Sequence, residues 1–372
     1  MNVRLDFLKK NLVLIELIYV MLNDLGIFSE VDKANMLDEL AQYPEQIKKA
    51  LEIAEKAEIE RFFKIDNVVI TGMGASAISG DIISSLFRDK IEIPLFVNRE
   101  YDLPKWVKKD TLTIFVSYSG NTEETLSSFK IAHQKKCKII GISSGGKLQE
   151  MCRVRGVTHI QIPSGFQPRA ATMFILFPLI VILKRMSILK NDIQSDIDET
   201  IVLAQDFVDM NKKSIPIENN LSKQLAEKIY GTIPQVYGWG LYSPISTRWR
   251  QQFNENSKLI ARADIVSESN HNDIVGWSIN SEVSKNFSCI LFRDKNEESI
   301  YMSTRLNFMK TLFDDTAANV FEIHAKGKSR LAKMMYIMYL GDFASCYIAI
   351  LRKIDPSPVD IIMELKKRLA EI

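Results

Sequence analysis

Short apolar runs that stop at a glycine or a cluster of hydroxyls, each leading into a segment of helical period, limit this chain's fold most. Asn67-Val-Val-Ile-Thr71 runs into Gly72-Met-Gly-Ala-Ser76 and a helix pattern through Phe87. Glu92–Asn98 is a second run. Thr111–Ser117 is a third, followed by Tyr118-Ser-Gly-Asn-Thr122 and a helix to about Lys135. Lys138–Ser143 and Val157–Pro163 are the fourth and fifth, and an apolar helix over about 170–184 closes the series. Such runs read as buried strands, and their alternation with helices predicts βαβ units on a mostly parallel sheet.

The pattern then pauses and returns. Residues 186–218 are more polar and read as a connecting helix plus linker; a helix follows near 220–230. Pro234-Gln-Val-Tyr-Gly-Trp-Gly240 leads to Ser243 and another helix, with further strands at Ser288–Phe292 and Val320–His324. Gly238-x-Gly240 with Ser243 echoes Gly72-x-Gly74 with Ser76, a weak internal repeat that fits a duplicated α/β domain. A length of 372 residues agrees, being too long for one domain of about 150. Upstream, residues 30–60 read as helical, with Ile47, Leu51, Ile53 and Ala54 on one side. Leu12, Ile15, Tyr19 and Leu22 fall at helical spacing, and Glu16 and Asp24 interrupt the apolar run. A span needs about 20 nearly unbroken apolar residues, so an amphipathic helix is expected and a membrane anchor is not.

Charge and cysteine usage exclude several classes. Lys and Arg number 48 against 46 Asp and Glu, a formal net charge of +2, without the basic excess of a dedicated nucleic-acid binder. The four cysteines, at 137, 152, 289 and 346, contain no CxxC pair, so the expectation is no disulfide framework and a cytoplasmic setting. The four histidines are scattered with no HExxH, so no metal site is expected.

Three stretches carry chemistry. Ser117-Tyr-Ser-Gly-Asn-Thr122 lies at the C-terminal end of a predicted parallel strand, where ligands bind in open α/β sheets. Its hydroxyls and the following helix N-terminus suit a phosphate monoester. The alternative is a capped helix, with Asn121 or Thr122 as N-cap and Glu123 and Glu124 in the first turn. Gly72-Met-Gly-Ala-Ser-Ala lacks the GxGxxG of a dinucleotide loop and reads as a tight turn, with Ser76 able to supply a second phosphate contact. Arg248–Trp277 holds Asn254-Glu255-Asn256 and Asn270-His271-Asn272, an acid and an imidazole each bracketed by amides. Pro163-Ser-Gly-Phe-Gln-Pro-Arg169 adds a rigid loop; its arginine is either a site residue or a surface ion-pair partner.

Taken together, GMGASAISGD, SYSGNTEETL, ISSGGKLQE, IPSGFQPRAA, RWRQQFNENSK and ESNHNDIVGW resemble the bifunctional phosphoglucose/phosphomannose isomerases of the phosphoglucose isomerase superfamily. The resemblance runs from about residue 31 to the C-terminus. It implies an α/β fold of two tandem sugar isomerase (SIS) domains, each a Rossmann-like αβα sandwich. The expected division is a helical extension over 1–60, a first SIS domain over 61–190, a linker over 191–218, and a second SIS domain with C-terminal helices over 219–372. It implies interconversion of glucose 6-phosphate and fructose 6-phosphate, with mannose 6-phosphate as a further substrate, and no cofactor. By the same resemblance Ser117, Ser119 and Thr122 hold the phosphate and Gly74 and Ser76 line the sugar site. Arg169 stabilises the enediolate, and Glu255 is the base. His271 assists ring opening from the other subunit of a homodimer. Lys366, or Lys367 beside it, would be the C-terminal lysine. Ala75 stands where the family usually has glycine, which bears on substrate preference. The alternatives are a sugar-phosphate sensor without turnover and an isomerase of another sugar phosphate. The sensor would not need Arg169, Glu255 and His271 together.

Overall fold

The computed structural model describes residues 16–279, 281–369 and 371. Labelling only the longer helices, the first unit runs α1 (Tyr43–Lys56), β1 (Asn67–Thr71), α2 (Gly74–Leu86), β2 (Leu95–Asn98), β3 (Thr111–Val116), α3 (Glu123–Gln134), β4 (Lys138–Ser143), α4 (Gly146–Arg155), β5 (Thr158–Gln161) and α5 (Met173–Arg185). Helix α6 (Gln194–Asn211) connects to the second unit. That unit runs α7 (Leu221–Ile229), β6 (Ile233–Gly238), α8 (Ser243–Glu255), β7 (Arg262–Ile265), β8 (Phe287–Arg293), α9 (Ile300–Thr316), β9 (Asn319–His324), α10 (Arg330–Leu351) and α11 (Asp360–Leu369).

Both sheets are wholly parallel where mostly parallel ones were expected: β2-β1-β3-β4-β5 and β7-β6-β8-β9. The central strand β3 is buried along its whole length, the mark of a strand covered on both faces. Strand β2 starts only after Pro94, whose missing N–H suits an edge, although its carbonyl still accepts from Val68 N at 2.9 Å. Strand β7 escaped sequence reading because Arg-Ala-Asp-Ile is a short, largely exposed edge strand without an apolar run. The glycine echo is a structural repeat. β1 and β6 each neighbour the second strand to join them in their sheets, and Gly74 and Gly240 follow them with φ of 50° and 42°.

One apolar cluster runs through both units, from Ile18 past Val68 and Ile175 to Leu351. Helix α10 lies at its heart, buried from Leu331 to Leu351. It is long and apolar enough to cross a bilayer, but a helix hydrophobic all round and buried on every side is a core helix. Its charges are paired: Lys333 with Asp294 at 3.1 Å and Asp342 with Arg248 at 3.0 Å. Gly341 lets α8 approach, since a Cβ there would meet the Trp249 indole at 2.3 Å. Trp249 Nε1 donates instead to Ile337 O at 2.9 Å. Helix α1 packs on α5 and α6, so residues near 43–56 belong to the core.

At the N-terminus, residues 16–23 are helical. Leu12 and Ile15 lie outside the described residues. Leu22 is buried as expected, but Tyr19 is 37% exposed. The inward stripe is Ile18, Met21 and Leu22, which keeps the i, i+3, i+4 spacing in another register.

Candidate active site

Strand β3 delivers Ser117 to the C-terminal edge of the first sheet, between β1 and β4. Ser117 is buried, and its Oγ lies 2.8 Å from Thr122 Oγ1. Gly120 turns the chain between them with φ of 70°, and a Cβ there would sit 1.8 Å from Gly145 O. The following strand's loop locks this turn. Ser144 Oγ donates to Tyr118 O at 2.7 Å, Lys147 N to Asn121 Oδ1 at 3.1 Å, and Leu148 N to Gly120 O at 2.9 Å. Of the capping alternatives, Thr122 occupies the N-cap with Glu123 and Glu124 in the first turn, but its side chain makes no cap bond; the Asn121 amide faces Ser119 O and Lys147 N. The first-turn N–H groups of α3 are left for an anion. Glu123 accepts from the Tyr101 hydroxyl at 3.3 Å. Beside this loop, Gly74 opens α2 with no atom within 4 Å of where its Cβ would be, and Ser76 is buried two residues on.

The charged end of the site forms where the two units meet. Arg169 is 3% exposed, so the expectation of a surface ion pair fails. Its Nε donates to Asn256 Oδ1, and its Nη2 to Pro356 O at 2.6 Å and Ser357 O at 2.8 Å. Its Nη1 lies 3.7 Å from Glu255 Oε2. A guanidinium has five N–H groups; the protein holds three here, leaving the two on Nη1 beside the carboxylate. Burial pulls the Arg169 pKa down and the Glu255 charge opposes the shift, but a guanidinium stays protonated in a protein. Glu255 is the last residue of α8, its side chain 30% exposed.

The loop before Arg169 is fixed by groups outside it. Tyr118 OH, in the Ser117–Thr122 loop, accepts from Phe166 N at 2.9 Å, so the two ends of the site are joined directly. Glu39 Oε2 accepts from Gln167 N at 2.9 Å, and burial raises its pKa. Gln46 Nε2 donates to Ala170 O at 3.0 Å. Lys258, three residues after Glu255 and left-handed with φ of 49°, donates to Asp355 O and Pro356 O, each at 2.9 Å. Burial and then the Arg169 charge push its pKa down to about 8.

His271 and Lys366 stand apart. His271 is exposed in the turn between the short helices Val266–Ser269 and Asp273–Trp277, and its side chain bonds to neither Glu255 nor Arg169. Lys366 and Lys367 lie in the last turn of α11, a helix with no buried residue. That helix does follow the Pro356 and Ser357 carbonyls that grip Arg169. Among the described residues, no three His, Cys, Asp or Glu side chains converge as metal ligands. Sequence reading missed Tyr118, Glu39, Arg248 and Lys258. Only the heptad spacing of Arg248 and Glu255 on one helix face could have pointed to one of them.

Residues 61–182 match the SIS domain family, and residues 218–369 match the bacterial phospho-glucose isomerase C-terminal SIS domain. The chain is 40% identical over 339 residues to the bifunctional phosphoglucose/phosphomannose isomerase of Caldicellulosiruptor bescii, covering 91% of this chain and 99% of that one. It is 36% identical over 306 residues to the protein of the same name from Thermoplasma acidophilum, covering 82% and 90%. Its fold is similar to a crystal structure of a glucose-6-phosphate isomerase-like protein from Thermus thermophilus. The TM-score is 0.62 at 14% identity, over 93% of this chain and 98% of that one.

Proposed function

Because the chain belongs to the family of bifunctional phosphoglucose/phosphomannose isomerases, we propose that it interconverts glucose 6-phosphate and mannose 6-phosphate with fructose 6-phosphate. Ser117, Ser119 and Thr122, with the N–H groups opening α3, hold the phosphate; Gly74 and Ser76 line the sugar. Once the ring is open, the Glu255 carboxylate takes the proton from C2 of the aldose. The C2–H electron pair becomes the C1–C2 double bond, and the carbonyl π pair moves onto O1. The Nη1 protons of Arg169 face that oxyanion. The O2 proton passes to O1, and Glu255 returns its proton to C1 as the O2 electrons close the C2 carbonyl, giving the ketose. Glucose and mannose 6-phosphates differ only at C2, so both lead to one enediol.

The observation that carries this reading is the buried Arg169 with its Nη1 edge 3.7 Å from Glu255, a base and an oxyanion partner held together. His271 assists ring opening from a second subunit. Its turn lies among exposed apolar side chains, Val275 at 66% and Tyr301 at 79%, and Arg305 beside Tyr301 reaches Asn270 at 3.1 Å. An exposed patch of that kind suits a homodimer interface. The C-terminal lysine role goes to Lys366 on α11. The four free cysteines suit a cytoplasmic enzyme.

The test is formation of fructose 6-phosphate from either aldose in the presence of EDTA, alongside Glu255→Gln. Turnover on both aldoses is expected, with loss of about 10²-fold or more in the variant and retained binding of the phosphate ester. Binding without turnover by the unaltered chain would leave a sensor instead. Full turnover by the variant would remove the base assignment.

A further inference from the structure

A closed ring of buried hydrogen bonds grips Arg169 at its main chain and at its side chain. Arg248, two turns before Glu255 on α8, donates from Nη2 to the carbonyl of Arg169. Its fork also takes both carboxylate oxygens of Asp342 on α10, at 3.0 and 3.1 Å. The Asp342 main-chain carbonyl accepts from Ser345 Oγ at 2.6 Å, and Ser345 Oγ accepts from Asn256 Nδ2 at 2.9 Å. Asn256 Oδ1 accepts from Arg169 Nε, which closes the ring. Tyr43 of α1 adds a hydroxyl to Asp342 Oδ2 at 2.6 Å. All six residues are buried.

A buried ion pair is poor at raising stability, because taking two charges out of water offsets most of their attraction, and apolar side chains of the same size serve as well. What Arg248 supplies that an apolar residue cannot is a donor fixed against the Arg169 carbonyl. The ring also returns through Asn256, the residue after Glu255. It therefore sets the guanidinium and the carboxylate in one frame.

We infer that Arg248 and Asp342 are positioning residues for Arg169: they touch no substrate and act on turnover by holding its Nη1 edge toward Glu255. This rests on the proposed role of Arg169, so the test reads the arginine itself as well as the rate.

Two variants are compared with the unaltered full-length chain. In one, Arg248→Met, Asp342→Leu and Tyr43→Phe are combined, removing both charges and the hydroxyl that would lose its acceptor. In the other, Arg248→Lys keeps a cation beside Asp342 but cannot bridge to the Arg169 carbonyl as well. The Arg169 Nε–Hε resonance, assigned by its disappearance in Arg169→Lys, is followed for exchange with solvent. In the combined variant kcat on glucose 6-phosphate is expected to fall about 10²-fold, the scale of a misplaced catalytic group, with KM within about threefold. The Nε proton should lose its protection. Arg248→Lys should show the same split to a smaller extent, and it decides the matter should the combined variant not fold. An unchanged kcat and an unchanged Nε signal in a folded variant would overturn the inference. So would a KM that rises as far as kcat falls, since that is general loosening. Lost protection in a chain whose unaltered form turns over no hexose phosphate would leave the ring standing and remove the function.

Discussion

Lys258 and Arg169 donate to the same carbonyl, that of Pro356. Two cations on one oxygen make the segment before α11 a common support for the site, and only one of the two can lose its charge at accessible pH. Arg169 stays protonated; Lys258, half-buried and facing Arg169, Asp355, Cys346 and Asp360, has its pKa lowered from 10.5 to about 8. Between those values the folded chain binds fewer protons at this lysine than the unfolded chain. Its buried charge therefore costs stability at neutral pH, and that cost is relieved as pH rises through the window. Activity runs the other way. Above about pH 8 the two charge-assisted bonds to Asp355 O and Pro356 O become ordinary ones, and the support of Arg169 weakens. We expect an alkaline limb in kcat near pH 8, with no matching fall in melting temperature from this group. Lys258→Arg, charged at every pH tested, should move that limb beyond pH 10. An unmoved limb would assign the titration elsewhere.

At the scale of elements, the Ser117–Thr122 loop, proposed to hold the phosphate, is a turn that another turn holds shut. Gly120 has φ of 70° and its Cα faces Gly145 O, so the position is closed to side chains both by backbone conformation and by space. Gly120→Ala should push the two loops apart and move Ser117 from Thr122. The expected result is a KM for hexose 6-phosphates raised about tenfold or more, the scale of one or two lost hydrogen bonds to a charged phosphate. The fold should persist, because the apolar cluster under α3 and α4 is untouched. A KM unchanged in Gly120→Ala would mean that the phosphate sits elsewhere.

This loop also marks what could be read from sequence. Strands ending in Gly and Ser ahead of a helix signal their own place, because the turn chemistry and the ligand chemistry use the same residues. The hydroxyl-rich turn at Ser117–Thr122, the glycine echo and the parallel sheets were legible for that reason. What holds Arg169 was not: Glu39, Gln46, Tyr43, Arg248 and Asp342 come from helices distant in sequence, and buried polar side chains carry no local pattern. The exposed strand β7 stayed hidden because an edge strand needs no apolar run.

At the scale of the whole molecule, one protomer brings together the Glu255 carboxylate, the Arg169 guanidinium and the Ser117–Thr122 loop, while His271 bonds to none of them. The exposed apolar side chains around its turn, together with β7 as a free sheet edge, give a face that a second copy would cover. In a twofold dimer each site would then draw Glu255 from one chain and His271 from the other. Mixing tests this without any knowledge of the interface. His271→Ala and Glu255→Gln homodimers should each be impaired, since every site lacks one group. In a mixed dimer one site inherits both lesions and the other inherits neither. Random exchange of subunits makes half of the dimers mixed, each with one intact site of two, so about a quarter of the unaltered activity should return. No recovery after demonstrated subunit exchange would place His271 in the same chain's site or in no site at all. Recovery that tracks the fraction of mixed dimers would require the imidazole to cross the interface.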